Sequence, residues 1–143
     1  MGDPQRWYVD SSVLLRAIVD ESRTAKDWFD TASARGDVFV ASRLMEVEVR
    51  RVSMNVGIDQ GLVGKYLDQF VFLSVDDDVL AEAIDLVPPA GGADAIHLAA
   101  ALRVGADAVV LVTHDKQMAD AAAHLGFTVL DPVTDDPRRG PVA

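Results

Sequence analysis

Carboxylates at strand ends are the residues of this chain best placed to do chemistry. Asp10 directly follows the strand-like run Trp7-Tyr8-Val9 and precedes a helical pattern, while Asp115 follows Val109 to His114 and precedes another. In an open α/β sheet, ligands collect beyond the carboxyl ends of the strands, where loops lead into helix N-termini, so both side chains belong to one edge. Asp37 and Asp107 precede their strands and belong to the opposite edge. Glu48 is reached by helical geometry. At about 100° per residue, Met45, Val49, Val52 and Val56 of a helix over 42–56 cluster, Leu44 widens the apolar arc, and Glu48 falls inside it. Glu46 points the other way, beside Ser53 and Arg50. An ionised carboxylate on a packed face is costly without compensation, so Glu48 calls for a cation; pairing with Arg51 is the alternative. Asp94 lies in the first turn of a helix over 93–104, on the face of Leu98 and Ala101, where an aspartate by itself only complements the helix dipole. His97, one turn on and able to hydrogen-bond Asp94, reads as a structural or orienting group, because no second histidine lies at a metal-ligand spacing. His114 and His124 have no partner pattern.

Oxygen donors without Cys or His suit a hard divalent cation, Mg²⁺ or Mn²⁺, rather than zinc. Two such carboxylates about 4 Å apart repel by roughly 4 kcal/mol at an effective dielectric near 20, and a cation relieves that repulsion. It also acidifies a water and neutralises charge growing on a phosphodiester, so hydrolysis by positioning and electrostatics is the chemistry implied.

The elements that must hold these residues alternate. Strand patterns at 6–9, 37–41, 70–75, 107–113 and 127–130 are separated by helical patterns near 12–19, 22–35, 42–56, 59–69, 76–87, 93–104 and 115–125, predicting an α/β fold around a mainly parallel sheet of about five strands. At 143 residues the chain has one domain's worth of sequence, expected over 1–132. Residues 133–143 mix Pro, Gly and charge without periodicity and are expected to form a flexible tail. There is no cysteine, which excludes disulfides, thiolate metal sites and cysteine nucleophiles. No apolar run is long enough for a membrane span and no signal region opens the chain, so a cytoplasmic location is expected. The 23 acidic residues exceed the 13 basic ones for a net charge of −10, which by itself opposes nucleic-acid binding unless the acids hold cations or a local basic stripe does the docking.

Four segments in order carry a family resemblance: Tyr8-Val-Asp10-Ser-Ser12-Val-Leu-Leu, Ala41-Ser-Arg-Leu-Met-Glu-Val-Glu48-Val-Arg-Arg51, Ala93-Asp94-Ala-Ile-His-Leu-Ala-Ala100 and Leu111-Val-Thr-His-Asp115-Lys. From Trp7 to about Pro132 the chain resembles the PIN-domain endoribonucleases, and within them the VapC toxins of bacterial toxin–antitoxin pairs. The resemblance implies an α/β/α sandwich that cuts RNA with Mg²⁺ or Mn²⁺. Asp10, Glu48, Asp94 and Asp115 match its catalytic, metal-binding acids, and Ser12 and Thr113 match small polar positions that order the site. It also implies a cognate antitoxin that inserts a basic side chain near the acids, and a homodimer.

Arg51, near Glu48, and Lys116, beside Asp115, are the candidates for RNA phosphate contact, whereas Arg43 and Arg50 read as solvated helix residues. Trp28 and Phe29 offer apolar contact for a partner or, equally, core. Two other functions compete: a receiver-like signalling module, suggested by Asp76-Asp-Asp78 after strand 70–75 but lacking the lysine that such a site needs, and a PIN fold kept only for binding.

Overall fold

The computed structural model describes residues 3–137. The chain begins with β1 (Arg6–Val9), α1 (Ser11–Ile18), α2 (Arg23–Ala34), β2 (Val38–Ser42), α3 (Arg43–Asn55) and α4 (Gln60–Leu67). It continues through β3 (Phe70–Leu73), α5 (Asp77–Ile84), α6 (Gly92–Val104), β4 (Val110–Val112), α7 (Lys116–His124) and β5 (Thr128–Leu130). All pairings are parallel, in the order β3-β2-β1-β4-β5. Parallel strands need crossovers, and the helices supply them on both faces.

Strand alternation divides the core in two. Val9, Phe39, Ala41 and Val112 face α1 to α4, where they meet Val13, Leu14, Phe29, Met45 and Val63. Tyr8, Val40 and Leu111 face α5 to α7 and pack on Val79, Leu98 and Met118. The result is the α/β/α sandwich. Phe29 is buried, and Trp28 packs edge-on against Trp7 with centroids 5.3 Å apart, so this aromatic pair belongs to the fold's interior. Gly36 and Gly126, with φ of +81° and +94°, end α2 and α7 in the left-handed conformation that turns the chain into β2 and the approach to β5.

The domain does not stop at Pro132. Val133 is buried in the first core. Asp135 then caps α2, accepting from Ser22 Oγ at 2.6 Å, Thr24 Oγ1 at 2.8 Å and the backbone N–H of Arg23 at 3.0 Å. Within the stretch assigned to a tail by composition, Val133 is thus buried and the exposed Asp135 is hydrogen-bonded to the start of a distant helix. The rest of that stretch, 138–143, lies outside the described residues. No helix among the described residues is long and apolar enough to cross a membrane.

Candidate active site

In this strand order the crossovers run in opposite directions on either side of the β1/β4 pair, so the crevice beyond these two strands is the topological switch point. Asp10 leaves β1 there, tied down by its backbone N–H to Val112 O at 2.9 Å. Its side chain is 6% exposed. One carboxylate oxygen, Oδ2, accepts from Ser12 Oγ at 2.7 Å and Thr113 Oγ1 at 2.9 Å. Each hydroxyl is itself aimed by the turn after β4: His114 N–H donates to Ser12 Oγ at 3.0 Å, and Asp115 N–H to Thr113 Oγ1 at 3.1 Å. With a lone pair taken by the backbone, each hydroxyl's proton is free for the acid. Oδ1 faces the other way, 3.9 Å from His97 Nε2.

Glu48 enters from α3 and His97 from α6, two helices that meet at this edge. His97 is 1% exposed, and its Nε2 lies 2.6 Å from Glu48 Oε1 while Nδ1 lies 3.1 Å from Ser42 Oγ at the end of β2. The partner of Glu48 is therefore this histidine, and the partners of His97 are Glu48 and Ser42 rather than Asp94. Burial alone would lower the imidazole's pKa, but the Glu48 hydrogen bond and the charges of Asp10, Glu48 and Asp94 outweigh it and raise it. The Tyr8 hydroxyl is buried beside Ser42 without a well-aligned bond, and desolvation pushes its pKa up, so it stays neutral.

The inward side of α3 differs from the expected arc. Met45, Val49 and Ser53 are buried, whereas Val52 and Val56 are exposed. Ser53 is covered because α4 starts over it: Gln60 Nε2 donates to Ser53 Oγ at 3.0 Å, and that hydroxyl donates to Arg50 O at 3.1 Å. Glu46 turns outward to Arg43, 3.0 Å away.

Asp94, half-buried in the first turn of α6, registers all the other acids. Desolvation and the charges of Asp115 and Asp10 push its carboxyl above the ordinary range, with His97 opposing and Glu48 adding. Asp115 caps α7, its Oδ1 accepting from Gln117 N–H at 2.9 Å and Met118 N–H at 3.3 Å. The four predicted acids thus share one edge and one electrostatic field. They do not form a ready-made ligand shell: among the described residues no three His, Asp or Glu side chains are gathered closely enough to hold a metal ion. The reason is visible in their partners. Hydroxyls hold one oxygen of Asp10, an imidazole holds Glu48, and the start of α7 holds Asp115.

Arg51 and Lys116 are exposed. Asp76, with its Oδ1 accepting from Val79 N–H at 2.9 Å, is the N-cap of α5. A receiver also has the strand order 2-1-3-4-5, so the 3-2-1-4-5 order here removes that reading. Asp37 lies at the opposite edge, bound by Trp7 Nε1 and Arg35.

Residues 7–124 match the PIN domain family model. The chain belongs to the PIN domain family, on its VapC branch. It is 36% identical over 129 residues to Ribonuclease VapC46 of Mycobacterium tuberculosis, covering 87% of this chain and 96% of that protein. It is 29% identical over 130 residues to Ribonuclease VapC47 of the same organism, with the same coverage. Among solved structures, the fold is shared with VapBC2 from Rickettsia felis bound to a fragment of promoter DNA, with a TM-score of 0.68 at 10% identity over 89% of this chain and 98% of that one. It is also shared with a toxin–antitoxin complex from Klebsiella pneumoniae, with a TM-score of 0.61 at 19% identity over 87% and 96% of the two chains. In this PIN domain, Ser42 and His97 are the site components that sequence reasoning did not connect.

Proposed function

We propose that the protein is an endoribonuclease that hydrolyses RNA phosphodiester bonds with Mg²⁺ or Mn²⁺, acting as the toxin of a toxin–antitoxin pair in the cytoplasm. The observation that carries the reading is Asp94, a carboxyl raised by burial and by Asp115, Asp10 and Glu48 at the switch-point crevice of a chain whose relatives are named ribonucleases. An all-oxygen donor set has the chemistry a hard divalent ion takes. Asp10 through Oδ1, Asp94, Asp115 and Glu48 are the residues that would hold it. When bound, the ion supplies positive charge for the developing phosphate negative charge and acidifies a water. The chain's own contribution is to fix the donors. Ser12 and Thr113 hold Asp10 through Oδ2, and the start of α7 fixes the Asp115 side chain. Arg51 and Lys116 serve as phosphate contacts, which a chain of net charge −10 needs locally. The two solved structures above are toxin–antitoxin assemblies, which supports a cognate antitoxin as partner, with a basic side chain drawn to the acids; a homodimer completes the proposal. Purified protein should cut RNA with Mg²⁺ or Mn²⁺ and stop in EDTA, and Asp10→Asn and Asp94→Asn should abolish cleavage while keeping the parent's circular dichroism. Undiminished cleavage by these variants would overturn the site.

A further inference from the structure

His97 has no place in the site as the acids alone define it, yet its side chain is only 1% exposed. Nε2 and Nδ1 are both engaged, on Glu48 Oε1 at 2.6 Å and Ser42 Oγ at 3.1 Å, so the ring, carried on α6, bridges the end of β2 to the middle of α3. Glu48 by contrast is on the rim, its side chain 29% exposed, and a glutamate there has three torsions to lose. A carboxylate only accepts, so Nε2 must carry the hydrogen whether the ring is neutral or charged; in the neutral ring Nδ1 then accepts from the Ser42 hydroxyl. Ser42 is wholly buried, so it selects the tautomer from a fixed position.

We infer that the Ser42–His97 pair is a positioning device that holds Glu48 at the edge of the crevice toward Asp10, ready to join a divalent ion. This rests on the metal-dependent reading proposed above and adds to it a residue that acts through Glu48. Partners of this kind around metal ligands are worth about 10–100-fold in metal affinity when removed.

The test is Mn²⁺ affinity of the full chain, followed by the electron paramagnetic resonance signal of free Mn²⁺. His97→Asn keeps an amide near the Nδ1 position but cannot reach Glu48, and should weaken binding by about 10-fold or more. His97→Gln puts an N–H where Nε2 stands and should restore most of the affinity. In a Glu48→Gln background, His97→Asn should add nothing, because its effect passes through the lost carboxylate. Ser42→Ala removes the orienting bond while leaving the imidazole on Glu48, and should weaken binding measurably but less than His97→Asn, which keeps the inference testable if the Asn variant fails to fold. Equal weakening with and without Glu48, or parent-like affinity in folded His97→Asn, overturns the positioning role while leaving the nuclease reading intact. A parent that binds no Mn²⁺ and cuts no RNA overturns the nuclease reading and the inference with it.

Discussion

Replacing Thr113 by Val tests how Asp10 is held. The two side chains have nearly the same shape, and Thr113 is 1% exposed, so the change removes a hydroxyl without opening a cavity. Besides a long 3.3 Å contact with Ser12 Oγ, the 2.9 Å donation to Asp10 Oδ2 and the 3.1 Å acceptance from Asp115 N–H are lost. A hydrogen bond to a charged group is worth about 1.5–3 kcal/mol, and a stranded N–H about 1 kcal/mol more. Ser12 Oγ, 2.7 Å from the same oxygen, remains and offsets part of this, so the expected loss is about 2–3 kcal/mol. Ser12→Ala should cost about 1 kcal/mol, because Ser12 is only half-buried and water can replace its hydroxyl. The double variant leaves Oδ2 with no hydroxyl donor and should exceed the sum of the singles by at least about 0.5 kcal/mol. Urea unfolding in EDTA measures all three. RNA cleavage should fall alongside, since a carboxylate free to rotate no longer presents Oδ1. A Thr113→Val protein within about 0.5 kcal/mol of the parent would refute the reasoning, because that is the size of an inert surface change.

Asp94→Asn should abolish cleavage yet raise stability in EDTA by about 0.5–2 kcal/mol, the usual gain when functional strain is removed. The sign follows from the raised carboxyl: its ionised form is disfavoured by folding, so the penalty is full above the folded pKa and is relieved as pH falls through it. Thermal melts at several pH values should therefore show the parent's deficit against Asp94→Asn shrinking on acidification. Asp135 runs oppositely. The Ser22 and Thr24 hydroxyls hold its carboxyl down at about 2, so its stabilisation is complete above the ordinary carboxylate value of 3.8 and lost as pH falls through about 2. Asp135→Asn should flatten that part of the melting profile. A chain ending at Pro132 loses the buried Val133 as well as this cap, and its urea midpoint should drop by the equivalent of at least about 1.5 kcal/mol.

The strands and helices were legible to within a few residues because short turn signals, such as Gly36 and Gly126, punctuate runs whose period changes. Asp10 and Asp115 were legible for the same reason: a strand end followed by a helix start is local information. Glu48 meets His97 from the rim rather than from a packed face, and the arc that pointed it inward was wrong at its far end. Helical spacing puts Ser53 one turn from Val49, at the border of the apolar arc, and only the docking of α4, through Gln60, decides that Ser53 is covered and Val52 and Val56 are not. His97 shows the same limit. Its neighbour by helical spacing is Asp94, whereas its true partners lie 49 and 55 positions away, and only the packing of α6 on α3 and β2 brings them together. Asp135 was invisible because capping of α2 from more than a hundred residues away leaves no periodic trace.

The most direct test of the central claim is a crystal structure of the protein with Mn²⁺, located by its anomalous scattering. The account requires one peak in the crevice beyond β1 and β4, within coordination distance of Asp10 Oδ1 and the Asp94 carboxylate, and its loss in Asp94→Asn. An ion bound away from those two residues, or a crevice without manganese at a concentration that supports RNA cleavage, would contradict it.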